Sequence, residues 1–221
     1  MNRKLWLNLF GLAVFVLIPA IARGIDEPFL VNLFTRFAIY AIAAVSLDLI
    51  LGYGAMVSFG HAAFFGLGGY VIGVVGFHTA DGSGILGWQG TGQALILWPL
   101  AIAICAVAGL VIGFLSLRTA GVQFIMITLA FGQMFYFILV GLMYYGGDDG
   151  LAIDARNTLP GIDLRNPVVY YYLCVALLFA WVLTCRRIVG SRFGMALRSL
   201  KQNQRRSVAL GLAPLRYQLL A

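Results

Sequence analysis

The chain reads as an all-α protein, a polytopic helical membrane protein with one discontinuous helix region, and three observations carry that reading. Of its 221 residues 62% are hydrophobic and 10% charged, against about 25% charged in an ordinary soluble domain. The longest stretches without Asp, Glu, Lys or Arg, 82–117, 49–80 and 119–147, hold 36, 32 and 29 residues, whereas crossing a hydrocarbon core of roughly 30 Å takes about 20. Within 49–80, glycines 52, 54 and 60 gather with Tyr53, Ser58 and His61, which interrupts a segment otherwise apolar enough to be one helix. The same composition excludes intrinsic disorder.

Six crossings follow in order. The apolar run 5–22 behind Arg3 and Lys4 resembles a signal peptide. It is longer than the usual apolar region of about 7–15 residues, and further spans follow, so it is read as a retained first helix. A second span starts near Phe37 and reaches the Gly52-Tyr53-Gly54 break; a third runs from about His61 to Phe77. The fourth fits 94–117, the fifth 122–145 and the sixth 168–185. At 1.5 Å per residue, 24-residue runs reach about 36 Å, enough to cross with tilt.

Charge supplies the orientation. Seven of the fifteen basic residues, Arg186, Arg187, Arg192, Arg198, Lys201, Arg205 and Arg206, follow the sixth span with no acid among them, the positive-inside signature. This places the N-terminus in the cytoplasm, leaves loops 22–36, 78–93 and 146–167 outside, and puts 118–121 and everything after Arg186 inside. The net charge of +7 is therefore assigned to membrane orientation and not to nucleic acid. Gly69 with Gly73 and Gly109 with Gly113 are small-xxx-small pairs suited to helix packing. Cys105, Cys174 and Cys185 are too scattered for a disulfide framework or a metal site.

The segment 47–70 brings polar atoms and glycines to membrane depth. Non-helical backbone is tolerated there only when buried in protein or lining a polar cavity. A new helix N-terminus would offer free backbone donors to a carboxylate; a tight turn between two helices explains the glycines equally well. Asp48 is an ionisable group in a span, either structural or on a transport path. Arg36 is twelve residues away, about 18 Å along a helix, so His61 or a neighbouring helix is the better partner. In the fifth span Gln123, Thr128 and Gln133 line a path or bond between helices, and Phe131, Phe135, Tyr136, Phe137, Tyr144 and Tyr145 form core or an interfacial belt. No catalytic constellation stands out. Neither Lys4 nor Lys201 sits in a GxxxxGK frame, two histidines form no HExxH, and Ser58 lacks a nucleophile elbow. No enzyme activity, metal or other cofactor is expected, and the energy for any transport must come from another subunit or an ion gradient.

Three ordered blocks carry a family resemblance: the stretch 46–69; Leu117-Arg118-Thr119-Ala120-Gly121 with Ile127-Thr128-Leu129-Ala130-Phe131-Gly132; and Ser191-Arg192-Phe193-Gly194 through Gly211. Together they resemble the permease subunits of bacterial ABC importers for branched-chain amino acids, the larger of the two paired types. The resemblance implies an ABC importer permease fold in the bacterial inner membrane. It also implies a second permease, two ATP-binding subunits and a periplasmic substrate-binding protein as partners. On this resemblance 1–221 is one transmembrane permease domain, and 186–211 is the cytoplasmic coupling segment, with Arg192, Gly194, Arg198 and Gly211 as its ATPase-facing residues. Membrane lipid is the alternative contact for Arg198. The substrate path would be built from Asp48, Tyr53, Ser58, Gly60, His61 and Thr128. Two departures stand out: Tyr145-Gly146-Gly147 replaces a Thr-Gly-Gly pattern, and Lys201-Gln202-Asn203-Gln204 replaces an acid-rich Arg-Glu-Asn-Glu, which removes the acids of any ion pair with the ATPase. Members of the family continue through further helices beyond Ala221, so the chain reads as C-terminally incomplete. Similar permeases carry urea or short amides, and a non-transporting structural subunit is the alternative of a different class.

Overall fold

The computed structural model describes residues 15, 17–19, 28–82, 90–119, 121–151, 153 and 156–221. Five of its helices are long and apolar enough to cross a membrane. They are α1 (Pro28–Asp48), prolonged by a π-helical turn (Leu49–Tyr53), α2 (His61–Asp81), α3 (Ala94–Ser116), α4 (Val122–Val140) and α5 (Pro167–Gly190). Three short helices follow: α6 (Arg192–Gln202), α7 (Gln204–Ala209) and α8 (Pro214–Leu220). The five long helices correspond to the second through sixth expected spans. Most of the expected first span, and with it the choice between signal peptide and retained helix, lies outside the described residues.

α2 runs four residues past Phe77 to Asp81, and three other boundaries differ from expectation, each for a local reason. α1 begins at Pro28, not near Phe37. Proline is suited to the first turn, where its missing N–H has no intrahelical partner, and Arg36 lies exposed on the helix flank instead of ending it. Residues 28–36 are therefore helix and not external loop. α4 stops at Val140 instead of reaching Tyr145, because the chain turns at Gly141 into two short 3-10 turns, Met143–Tyr145 and Gly147–Asp149. α5 runs on through Arg186 and Arg187 to Gly190, and those cations lie in its last turns, where the helix dipole favours them.

The chain divides into two compact units, Met1–Ser46 with Gly161–Arg187 and Leu47–Pro160 with Ile188–Ala221. In the first, Ile18, Val31, Ala38, Tyr171, Cys174, Val175 and Leu178 form the buried core, and the Tyr171 hydroxyl donates to the Phe15 carbonyl at 2.6 Å. In the second, α2 packs against α3 and α4, and α6 packs against α7, α8 and the π-helical turn. Pro99 sits inside α3 and so deprives one carbonyl of its helical partner, a loss that membrane helices accommodate. Large apolar side chains face outward along the long helices, Ile102 at 69% and Val122 at 67% exposure among them. Such surfaces are unsuited to water and suited to lipid, whose tails are as apolar as the side chains.

Candidate functional site

The helix break is built in two steps. At the end of α1 the backbone widens into the π-helical turn, and the Ile50 carbonyl accepts the N–H groups of both Gly54 and Met56. Ala55 then adopts φ 56°, the one positive φ among described non-glycine residues. None of the three glycines that mark the break in the sequence has a positive φ. Their role is close approach, clearest at Gly60. A Cβ there would stand 2.8 Å from the Thr128 carbonyl oxygen of α4, well inside van der Waals contact. Opposite it, Gly132 adjoins the Gly60 backbone at ordinary contact, its own Cβ position lying 3.6 Å from the Gly60 Cα.

A polar seam holds this contact. The Thr128 hydroxyl donates to the Ile125 carbonyl at 2.9 Å and accepts the Phe59 N–H at 3.3 Å. Ser58 turns back to accept the Gly60 N–H, also at 3.3 Å. Thr128 is 4% exposed, so its hydroxyl bonds between segments, one of the two roles expected of it. The Phe59 and Gly60 amides of the break are thus consumed internally, and Ala63, in the first turn of α2, donates to the Gly60 carbonyl at 3.1 Å. His61 opens that turn half-buried, with its Nδ1 buried and unpartnered and its ring 6.3 Å from that of Phe64.

The sequence-predicted path residues therefore form two groups. Ser58, Gly60 and Thr128 meet at the seam, with His61 following directly. Asp48 and Tyr53 lie on the other flank of the break. Asp48 is exposed at the end of α1, its carboxylate 2.5 Å from where a Gly52 Cβ would be, and no ion pair forms on it among the described residues. Tyr53 lies under the Arg198 guanidinium, 5.7 Å from ring centroid to the guanidinium carbon.

That last contact brings α6 to the break. Ser191 caps α6 by accepting the Gly194 N–H, and Gly194, Ala196, Leu197 and Leu200 form its buried face. A Cβ on Gly194 would collide with the Ile188 and Val189 carbonyls, so glycine is what permits the tight turn from α5 into α6. Arg198 also donates to the Val189 carbonyl. Gly211 has φ 85° with open space around it, so it serves the turn between α7 and α8, not a packing contact. Arg192 is exposed. Asn203 ends α6 and caps α7 through the Arg206 N–H at 3.0 Å, giving a structural role to the residue that stays in place where the neighbouring acids are replaced. A polar cleft of about 290 Å³ opens between these helices, lined by Ser199, Gln202, Asn203, Arg206, Ser207 and Leu210. The residue that the sequence reading passed over is Lys201. Its Nζ donates to the Gly52 carbonyl at 2.5 Å, a contact across 149 positions that no local pattern announces.

Comparison with known proteins gives the following. The family model described as branched-chain amino acid transport system / permease component matches residues 29–221. The high-affinity branched-chain amino acid transport system permease protein LivM of Salmonella typhimurium is 25% identical over 215 residues, covering 86% of this chain and 48% of the relative. LivM of Escherichia coli K12 is 25% identical over a 242-residue alignment, covering 97% of this chain and 53% of the relative. The chain spans about half the length of these curated relatives. No solved structure matches.

Proposed function

Because the chain belongs to the branched-chain amino acid transport system permease family, we propose that it is a transmembrane permease subunit of an ATP-driven importer that moves branched-chain amino acids across the bacterial inner membrane. The substrate class is supported by the LivM relatives, whose names describe high-affinity branched-chain amino acid transport. The energy comes from partners, because the sequence has no GxxxxGK frame to cradle nucleotide phosphates. Those partners are two ATP-binding subunits, with a second permease and a periplasmic binding protein completing the path. Residues 1–221 serve as one permease domain, and 186–211 is its cytoplasmic coupling segment.

The observation that carries the mechanism is the seam of Gly60 on Thr128. Thr128 lies six residues into α4, about 9 Å along the axis at 1.5 Å per residue, and α4 starts just after the short basic turn at Arg118. With the N-terminus and the basic segment in the cytoplasm, the seam falls in the cytoplasmic third of the membrane, close to α6. The break then acts as an inner constriction, with Ser58, Gly60 and Thr128 setting its width. On this reading His61 and the opening of α2 meet a carboxylate, and Asp48 and Tyr53 shape the cytoplasmic flank of the break. On this reading Arg192 and Arg198, together with the polar cleft that Arg206 lines, form the face offered to the ATPase, while Gly194 and Gly211 hold the turns that present it.

Uptake of labelled leucine by the assembled transporter, in cells deprived of their own system, tests the reading with leucine, glutamate and urea as competitors. An aliphatic zwitterion site is expected to favour leucine. Preferential inhibition by urea overturns the amino-acid assignment, and an assembled complex that moves nothing favours a structural subunit.

A further inference from the structure

We propose that Lys201 is a positioning residue for transport: it holds the helix break in its observed shape and makes the break move with α6. Three side chains of α6 converge on three successive residues at the end of the π-helical turn. The Lys201 ammonium donates to the Gly52 carbonyl at 2.5 Å. Leu197, one turn earlier on the same face and 1% exposed, packs its isobutyl group 3.7 Å from the Cβ position of Gly54. Arg198 covers the Tyr53 ring while donating to the Val189 carbonyl at the end of α5.

The chemistry of a helix end explains why a cation belongs there. Carbonyls in the last turn lack intrahelical partners and carry the negative end of the dipole, so a lysine ammonium satisfies both needs at once. The next residue gives the cap its importance. Ala55 holds a left-handed conformation that is disfavoured for any residue with a Cβ, and such a conformation persists only where its surroundings over-determine it. On one side the surroundings are the Phe59 and Gly60 seam on Thr128; on the other they are Lys201, Leu197 and Arg198. Displacing α6 removes the second support and frees residues 55–59 to relax. The inference rests on the reading of α6 as the ATPase-facing helix and adds the route by which its displacement reaches the constriction.

The test uses the complete transporter in native membranes, with Cys105, Cys174 and Cys185 replaced by alanine and Val57→Cys introduced in the non-helical part of the break. Maleimide labelling of position 57 is expected to accelerate roughly two- to fivefold in Lys201→Met, the range a cation at a helix C-terminus is worth, and to return to the parental rate in Lys201→Arg. Lys201→Gln, which keeps a donor but no charge, gives the same reading where Lys201→Met is not recovered from the membrane. A parental rate in the uncharged variants, or an accelerated one in Lys201→Arg, overturns the cap. In the reconstituted complex, substrate moved per ATP hydrolysed is expected to fall by a similar factor in Lys201→Met and to hold in Lys201→Arg; an unchanged ratio overturns the transmission. Labelling requires neither nucleotide nor substrate, so a complex that transports nothing defeats the importer reading while the labelling rates still decide the cap.

Discussion

At Gly60 a single methyl group separates a working contact from a collision, because a Cβ would stand 2.8 Å from the Thr128 carbonyl. Backbone cannot retreat as a flexible side chain can, so Gly60→Ala is expected to cost about 1–3 kcal/mol in the manner of an overpacked core. The partner position is more forgiving, since the Cβ of Gly132→Ala would sit at an ordinary 3.6 Å. Leucine uptake, normalised to transporter recovered from the membrane, is expected to fall much further for Gly60→Ala than for Gly132→Ala; equal uptake would remove the seam from the path. The sequence made Gly60 conspicuous, but not the reason for it. The small-xxx-small pairs pointed elsewhere and divide: Gly109 and Gly113 lie against Phe64 of α2 and Leu219 of α8, whereas Gly69 faces open space and Gly73 is covered by Leu151 from a loop and not by another helix. The close approach pairs Gly60 with Gly132, seventy-two positions away. Ala55 was illegible for a related reason, because a positive φ on alanine is imposed by its surroundings and leaves no mark in residue type.

Among elements, α6 shows how two glycines of one motif do different work. Gly194→Ala would drive a methyl into the Ile188 and Val189 carbonyls, whereas Gly211→Ala would meet no atom within 4 Å but would hold alanine at φ 85°. The second change is expected to cost about 1 kcal/mol from conformation alone, and the first more, since backbone must move to admit it. Thermal melting of the detergent-solubilised complex should rank Gly194→Ala as the more destabilising of the two; the reverse order would mean that the turn from α5 into α6 is looser than described. Long helices were readable from charge-free length, and the cap residues Ser191 and Asn203 occupy positions where short polar side chains are preferred. Helix ends were less readable. Arg36 looked like a boundary because a charge inside a span is costly, yet an exposed arginine on a helix flank can extend its long side chain toward a polar surface.

For the whole molecule, the family, the helical class and the five described spans followed from composition and motif order, while the contacts of the break depended on residues distant in sequence. The asymmetry of charge sets an expected topology that can be checked directly. In single-cysteine variants, Ser199 is expected to label from the cytoplasmic side and Asp163 from outside. Finding both on one side would reject the six-crossing arrangement, and oriented vesicles would separate poor reagent entry from burial.

The Thr128 hydroxyl also has a consequence in time. Along residues 55–60 the amides of Met56, Phe59 and Gly60 have acceptors, while those of Ala55, Val57 and Ser58 have none among the described residues. In deuterated buffer the break should therefore exchange unevenly, with Val57 and Ser58 taking up deuterium quickly and Phe59 and Gly60 persisting as a slow island beside them. Thr128→Val removes the acceptor but keeps the shape, so the Phe59 N–H loses its partner. Residue-resolved exchange should show the island at Phe59 vanishing in that variant while the interiors of α2 and α4 keep their protection. The lifetime of that one proton would then be a clock for how often the contact between the break and α4 opens.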